Sequence, residues 1–306
     1  MQTKQQIRQL LASAGASPNK RLGQHFLIDL NLMRLLVDSA RIKNDDIVLE
    51  VGCGTGSLTE ALADNAGMVI AVERDKALAD IAKTQLAPKG RAKAKNVRII
   101  NTDILKTKST ISPTITNAIQ LCQEKHPGRV LLVANLPYNV ASPVMLNLLA
   151  GPIIADRMYV TVQKEVAQRI TATPGQKHYG TLSIFLAATG DVKTIRFLKP
   201  TVFWPQPQVN SAMLSFVRKK TKASRIENME LFNNTVRLFM QHRRKMLKTS
   251  TKFITGKLTQ IKDWPEIFEK CSIDPTQRPD QLSPENYIAI ANLCHRYLCG
   301  KQLNRK

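Results

Sequence analysis

The segment DDIVLEVGCGTGSLTEALADNAGMVIAVERD, residues 45 to 75, constrains the fold most. It reads as strand, glycine-rich turn, helix, strand. The two strands, Ile47 to Val51 and Met68 to Val72, are short apolar runs, the pattern of strands covered on both faces. A third strand, NVRIINTD, ends near Asp103. RVLLVANLPY supplies a fourth over Val130 to Ala134, and MYVTVQKEVAQRI runs from a fifth strand into a helix. LSIFLAATG and SAMLSFVRKK read as later strands. Leu32, Leu35 and Leu36 recur at helical spacing, which predicts an amphipathic helix over residues 30 to 42. Strands alternating with helices predict a mostly parallel, doubly wound α/β domain over residues 21 to 218. Within it, residues 107 to 128 predict a short helix or a surface excursion. Beyond residue 219 helical periodicity takes over, as in ENMELFNNTVRLFMQHRRKML, so a small all-helical domain is expected over residues 219 to 306. Its last helix has a clear start, with Ser283 as N-cap, Pro284 in the first turn and Glu285 near the positive end.

The glycine loop and two strand-end acids suggest a ligand. Gly52, Gly54 and Gly56 follow a strand and precede a helix, where glycine permits a tight turn and a close backbone approach. The third glycine comes two residues after the second, which departs from the GxGxxG dinucleotide fingerprint. Glu73 at the second strand tip can accept hydrogen bonds from both hydroxyls of a ribose. Asp103 at the third can accept from an adenine amino group, with Ile104 against the ring. Taken singly, each has a plain reading as a bare turn or a solvated acid. Together they line the carboxyl ends of adjacent strands, where open α/β sheets bind ligands. A nucleoside fits better than a diphosphate, which favours S-adenosylmethionine over NAD. A sulfonium is a methyl donor activated by its own charge, so neither a metal nor a covalent nucleophile is required.

The fourth strand runs into VANLPYNVASPV, residues 133 to 144. The amino group of adenine is a poor nucleophile because its lone pair is shared with the ring. The Asn135 side-chain oxygen and the Leu136 carbonyl can direct it by accepting its two N–H bonds. Pro137 stiffens the loop, and Tyr138 offers a flat ring for stacking. A base reaches such a pocket only when unpaired or flipped. In TVFWPQPQVNSAM, Phe203 is placed to sandwich the base opposite Tyr138, while Trp204 is assigned to packing. A stiff turn and a hydrophobic plug are the plain alternatives for these two segments.

Charge points to the macromolecular partner. The chain has 306 residues, with 45 Lys and Arg against 23 Asp and Glu, a net charge of +22. Such a balance favours a polyanion, nucleic acid before an anionic membrane. Lys89, Arg91, Lys93, Lys95, Arg98, Lys106 and Lys108 form one basic run. Arg237, Gln241, Arg244 and Lys248, at spacings of four, three and four, predict one polar stripe on a helix, and Arg218, Lys219, Lys220 and Lys222 mark the domain junction. Any single run also reads as a solvated face. Residues 1 to 20 form a basic N-terminal extension, read as a short surface helix; a mitochondrial presequence is compatible with its composition. Neither a secretory signal nor a membrane span is expected. The cysteines Cys53, Cys122, Cys271, Cys294 and Cys299 show no CxxC pair, which predicts free thiols in a reducing compartment and no zinc site.

With these blocks in order, the chain resembles the ribosomal RNA adenine N6,N6-dimethyltransferases, relatives of the macrolide-resistance methyltransferases and of mitochondrial transcription-factor-like proteins. KRLGQHFL, EVGCGTGSLTE, Glu73, the TD at Asp103, NLPYNVASP, QKEVAQR, YGTLS, VFWPQPQV and HRRK carry the resemblance. It implies a Rossmann-like S-adenosylmethionine-dependent methyltransferase domain with a helical RNA-binding domain. It also implies a cofactor pocket at Gln24, His25, Leu27, Gly52, Glu73, Asp103 and Asn135. The family commonly has Asn where this chain has His25. Asn135 and Tyr138 would hold and stack the target adenine, and Phe203 matches the second stacking aromatic. FxPxPxV at Phe203 to Val209 and the HRRK segment resemble the small-subunit branch. That branch dimethylates two adjacent adenosines near the 3′ end of small-subunit (16S) rRNA late in ribosome assembly. The implied partners are the small ribosomal subunit and its rRNA, in the cytoplasm, with the enzyme as a monomer. The alternatives are a large-subunit rRNA methyltransferase of the resistance type, a non-catalytic RNA-binding assembly or transcription factor, and a DNA adenine methyltransferase. Val140 to Ser142 and the lysine-rich Lys89 to Lys95 depart from the usual form.

Overall fold

The structure, a computed structural model, describes residues 1–19, 22–87 and 95–303, so Lys20, Lys89, Arg91 and Lys93 of the basic segments lie outside the described residues. The chain divides into two compact units: Met1–Ala167 with Lys193–Val217, and Gln168–Val192 with Arg218–Lys306.

The first unit is built on a sheet of seven strands: β1 Ile47–Val51, β2 Met68–Glu73, β3 Val97–Asn101, β4 Val130–Asn135, β5 Arg157–Gln163, β6 Gly190–Leu198 and β7 Ser211–Arg218. Their spatial order is β3-β2-β1-β4-β5-β7-β6. β3, β2, β1, β4 and β5 pair in parallel, and β7 pairs antiparallel to β5. The five sequence-predicted strands are present. Every residue of β1 is buried, Glu50 included, as in a strand covered on both sides. The helices of this part are α1 Lys4–Ser13, α2 Leu30–Ala40, α3 Ser57–Ala63, α4 Lys76–Leu86, α5 Pro113–Gln123 and α6 Ala141–Ala150, and α7 Lys164–Thr171 begins in it and ends in the second unit. α2 packs on β4 and β5, and α5 on β1 and β2. Residues 107 to 128 thus hold a full helix, α5, preceded by a small hairpin of Leu105–Thr107 with Thr110–Ile111.

At the amino ends of the central strands, Asp46 is fully buried and accepts hydrogen bonds from the Lys43 and Arg129 backbone N–H groups and from the Arg129 guanidinium. Burial alone would raise this carboxyl, but these bonds outweigh it and hold it below the usual carboxylate range. The pair pins the start of β1 to the start of β4, whose far ends carry the site.

The N-terminal segment is no separate extension. Ile7 and Leu11, one turn apart on α1, pack on Leu78 and Ile81 of α4. Burial of each large aliphatic side chain contributes roughly 1.5–3 kcal/mol, enough to hold the helix on the unit. A capping box between Thr3 and Gln6 starts it.

The second unit holds α8 Thr181–Thr189, α9 Lys220–Ala223, α10 Met229–Gln241, α11 Leu247–Ser250, α12 Trp264–Lys270 and α13 Pro284–Leu303. LSIFLAATG is therefore helix α8, not a strand. A fully apolar run has no periodicity to distinguish the two, and α8 is buried on nearly every face, with Phe185 against Phe232 of α10 at 4.9 Å. The strand that follows, β6, carries polar residues on an edge and escaped the pattern. Residues 168 to 192, assigned by sequence to the α/β domain, thus belong to the second unit because α8 needs α10 and α13 to cover it. Tyr179 and Tyr287 close this core by donating to the carbonyls of Leu282 and Pro279 at 2.8 and 2.7 Å.

The polar stripe of Arg237, Gln241, Arg244 and Lys248 is not one helix face. α10 ends at Gln241, a turn follows, and Lys248 lies on α11; all four side chains are nonetheless exposed. At the junction, Lys219 and Lys222 both pair with Asp191. Ser283 caps α13 by accepting from the Asn286 N–H. Among the described residues no helix is long and apolar enough to cross a membrane.

Candidate active site

Strand order reverses direction about β1, with β2 on one side and β4 on the other, the switch point where open α/β sheets leave a crevice. A cleft of about 1100 Å³, counting space open to solvent, lies at the carboxyl ends of these strands. It is lined by the predicted residues Gln24, His25, Leu27, Gly52, Gly54, Glu73, Asp103, Ile104, Asn135, Leu136 and Tyr138.

The glycine loop turns back on β2, where Gly52 and Cys53 both donate to the Val72 carbonyl. Gly52 has φ +78°, and a Cβ there would lie 2.8 Å from Pro137 Cγ. Gly54, at φ +57°, approaches Phe26 in the same way, at 2.9 Å. The absent side chains thus allow the loop to touch both the Asn135–Tyr138 segment and the Phe26 segment. Gly56 does something else. It does not line the cleft, and its missing side chain makes room for Ala82 and Leu86 of α4. Its predicted role at the ligand is therefore corrected to helix packing. Gln2, not singled out by sequence, braces the loop from outside by donating to the Thr55 carbonyl at 3.1 Å and accepting from the Thr55 hydroxyl at 2.6 Å.

Three carboxylates edge the cleft. Glu73 accepts from Gly54 N–H through Oε2 and from Asp75 N–H through Oε1, both at 2.9 Å. Each oxygen keeps a lone pair for a ligand. Burial pushes its pKa up against those two bonds. Asp103 Oδ1 accepts from Leu105 N–H, and Oδ2 lies 3.2 Å from the Arg74 guanidinium. Glu50, not singled out by sequence, lines the cleft and is 1% exposed. Burial, opposed by the Thr59 hydroxyl bond at 2.6 Å and aided by the neighbouring Glu73 charge, raises its pKa to about 8. Cys53 beside it is held as a thiol for the same first reason, burial.

β4 delivers Asn135 at its last position, in register with Thr161 on β5. The Thr161 hydroxyl donates to Asn135 Oδ1, and Asn135 Nδ2 donates to the His25 carbonyl at 2.7 Å. The amide orientation is thereby set, and Oδ1 retains one lone pair. Leu136 N–H donates to the Thr161 carbonyl at 3.2 Å, while no described group donates to the Leu136 carbonyl. Thr161 was missed because only the pairing of β4 with β5 brings it to Asn135. Tyr138 shares a 3.0 Å hydrogen bond with Ser211. Val140 to Ser142, the atypical part of the loop, forms the start of α6, with Val140 N–H on the Pro137 carbonyl.

Two predicted roles change. Phe203 is 2% exposed and packs in the core with Leu27 and Met33; it does not line the cleft. In the two-residue ladder of Phe26–Leu27 with Phe203–Trp204, side chains alternate sides, so Phe203 turns inward while Trp204 stacks on Phe26. The ring that faces Tyr138 is His25, at 5.3 Å and 29°, fixed by its Nδ1 bond to the Pro205 carbonyl at 2.6 Å. Gln24 lines the cleft, but its amide anchors the segment, donating to Asp75 and accepting from Asn19 N–H.

Two solved structures share the architecture. A dimethyladenosine transferase from Plasmodium falciparum aligns with a TM-score of 0.67 over 88% of this chain and 96% of its own, at 22% identity. The 23S rRNA methyltransferase ErmE aligns at 0.59 over 88% and 99%, at 20% identity. With its 3-2-1-4-5-7-6 sheet and its cleft at the switch point, the chain has the fold of a Rossmann-like S-adenosylmethionine-dependent methyltransferase with a helical C-terminal domain. Residues 15–294 match the family described as ribosomal RNA adenine dimethylase, and the chain belongs to that family. Relatives named ribosomal RNA small subunit methyltransferase A include one from Enterococcus faecalis, 36% identical over 291 residues and 95% of each chain. Another, from Geobacillus sp., is 34% identical over 294 residues, covering 95% of this chain and 96% of the relative.

Proposed function

We propose that this chain transfers methyl groups from S-adenosylmethionine to N6 of two adjacent adenosines in the 3′-terminal loop of small-subunit rRNA, in the cytoplasm, acting as a monomer on the assembling small ribosomal subunit. The observation that carries it is the pair of neutral acceptors, Asn135 Oδ1 and the Leu136 carbonyl, at the mouth of an acid-lined nucleoside cleft.

The cleft suits this cofactor. Gly52 and Gly54 leave space that a Cβ would fill, Glu73 keeps lone pairs for a ribose diol, and Ile104 offers an apolar wall beside Asp103 for the adenine. The Glu73 and Asp103 carboxylates at the cleft favour a ligand of net positive charge. When bound, the cofactor supplies a methyl group activated by its sulfonium.

The chain's own contribution is orientation. An adenine N6 group that donates to Asn135 Oδ1 and the Leu136 carbonyl has its lone pair directed away from both. As positive charge builds on the nitrogen, both acceptors bind more strongly than in the ground state. Thr161 and the His25 carbonyl hold the amide in the accepting orientation. Tyr138 supplies the stacking face. With the small-subunit names of the curated relatives, the reading favours that RNA over large-subunit RNA.

The test is methyl transfer to immature small subunits lacking the modification, with mass spectrometry of the product nucleosides. Dimethyladenosine at two adjacent positions is expected. Transfer to large-subunit RNA alone would overturn the substrate, and no transfer to any RNA would favour the non-catalytic alternative.

A further inference from the structure

In the second unit an aromatic ring stands in water among cations. Phe253 is 44% exposed. His242 stacks on it with centroids 4.2 Å apart and planes 21° apart, and Lys245 Nζ lies 5.3 Å from its centroid. The surrounding segment, QHRRKMLKTSTKFITGKLTQIK over residues 241 to 262, carries Lys and Arg throughout and no acid. Arg243 and Lys257 are engaged, by Asp280 and Glu230. Arg244, Lys245 and Lys252 are exposed and have no salt bridge among the described residues.

A flat ring held nearly parallel to an imidazole, inside a cationic field, matches one ligand chemistry on both counts. A nucleobase has a π-face to stack and brings a phosphate on each side. An acidic peptide brings the charge without the flat face. A lipid surface requires several apolar side chains inserted together.

We propose that His242 and Phe253 form a stacking platform for an unpaired nucleobase of RNA, with Arg244 and Lys252 placed to take its flanking phosphates. The base bound here is not the one methylated; the platform holds the RNA by a single-stranded element. The proposal rests on the reading of the partner as RNA and is independent of the chemistry at Asn135.

The test uses the full chain and two labelled probes, an oligoadenylate of about 12 nucleotides and an abasic ribose-phosphate of the same length. Phe253→Ala weakens oligoadenylate binding about fivefold or more, in line with the loss of a stacking aromatic, and leaves abasic binding unchanged. Phe253→Leu, which keeps the apolar bulk, weakens it likewise. Lys252→Ala weakens both probes and lowers the salt dependence. Phe253→Trp gives emission, measured against wild type, that oligoadenylate quenches and the abasic probe does not. Unchanged oligoadenylate affinity in Phe253→Ala, equal losses on both probes, or an unquenched tryptophan overturns the platform. So does polyglutamate binding that depends equally on Phe253. Phe253-dependent binding without methyl transfer leaves the platform standing and sinks the methylation reading; transfer with Phe253-independent binding does the reverse.

Discussion

Gly52→Ala is the sharpest probe of how the glycine loop and the Asn135–Tyr138 loop are joined. A Cβ at this position would meet Pro137 Cγ at 2.8 Å and Cδ at 3.1 Å, on a backbone at φ +78°. The left-handed conformation costs an L-residue about 1–2 kcal/mol, and forcing bulk into a packed contact about 1–3 kcal/mol more. A loss of about 2–5 kcal/mol in urea unfolding is expected. The two parts are separable, because Pro137→Ala removes both contacting atoms and leaves the backbone strain. In that background Gly52→Ala should cost only about 1–2 kcal/mol. Turnover follows the same logic. Displacement of Pro137 moves the Leu136 carbonyl, and an ångström of misplacement costs about a hundredfold. Gly52→Ala should therefore lose roughly ten- to a hundredfold in single-turnover methyl transfer, and the double variant should recover part of it. If Gly52→Ala costs the same stability with and without Pro137, the contact does not couple the two loops and the reasoning is wrong.

Asn135→Ala should cut turnover at least about tenfold, since it removes an acceptor whose bond strengthens in the transition state; wild-type turnover would remove that role. Glu50 has its folded pKa raised to about 8 from 4.5, so between these values the folded state holds more protons than the unfolded one. Its contribution to stability is fully present below pH 4.5 and is lost as pH rises towards 8. Glu50→Gln should flatten that part of the pH–stability curve, and an unaltered slope would contradict the assignment. Asp46→Ala leaves a partly buried Arg129 and two backbone N–H groups without their acceptor, and unfolding should be easier by about 3–5 kcal/mol in urea titrations. Phe203→Leu tests whether this ring packs or stacks. It should cost about 1 kcal/mol and keep turnover within a few fold of wild type, whereas a hundredfold loss would return Phe203 to the base.

Five central strands were legible as short, mostly apolar runs, and four of them lead into a chemically distinctive residue: Gly52, Glu73, Asp103 or Asn135. β6 and α8 were not. The strand is polar on an exposed edge, and the helix is apolar all round, so neither shows the period of its own structure. The acceptor pair at Asn135 and Leu136 could be argued from local chemistry. The partners that orient it, Thr161 and the His25 carbonyl, are 26 and 110 residues away, and no local pattern names them.

The sequence alone determined which residues end the parallel strands, and hence where the cleft forms and to which family the chain belongs. That information is local: strand length, turn glycines and the residue at each tip. The tertiary structure decided which way the neighbouring side chains face. Phe203 entered the core, His25 came to face Tyr138, and Gly56 served the packing of α4 instead of the ligand. Direction depends on how a strand alternates against its partner and on what fills the space opposite, and those contacts exist only once distant segments have met.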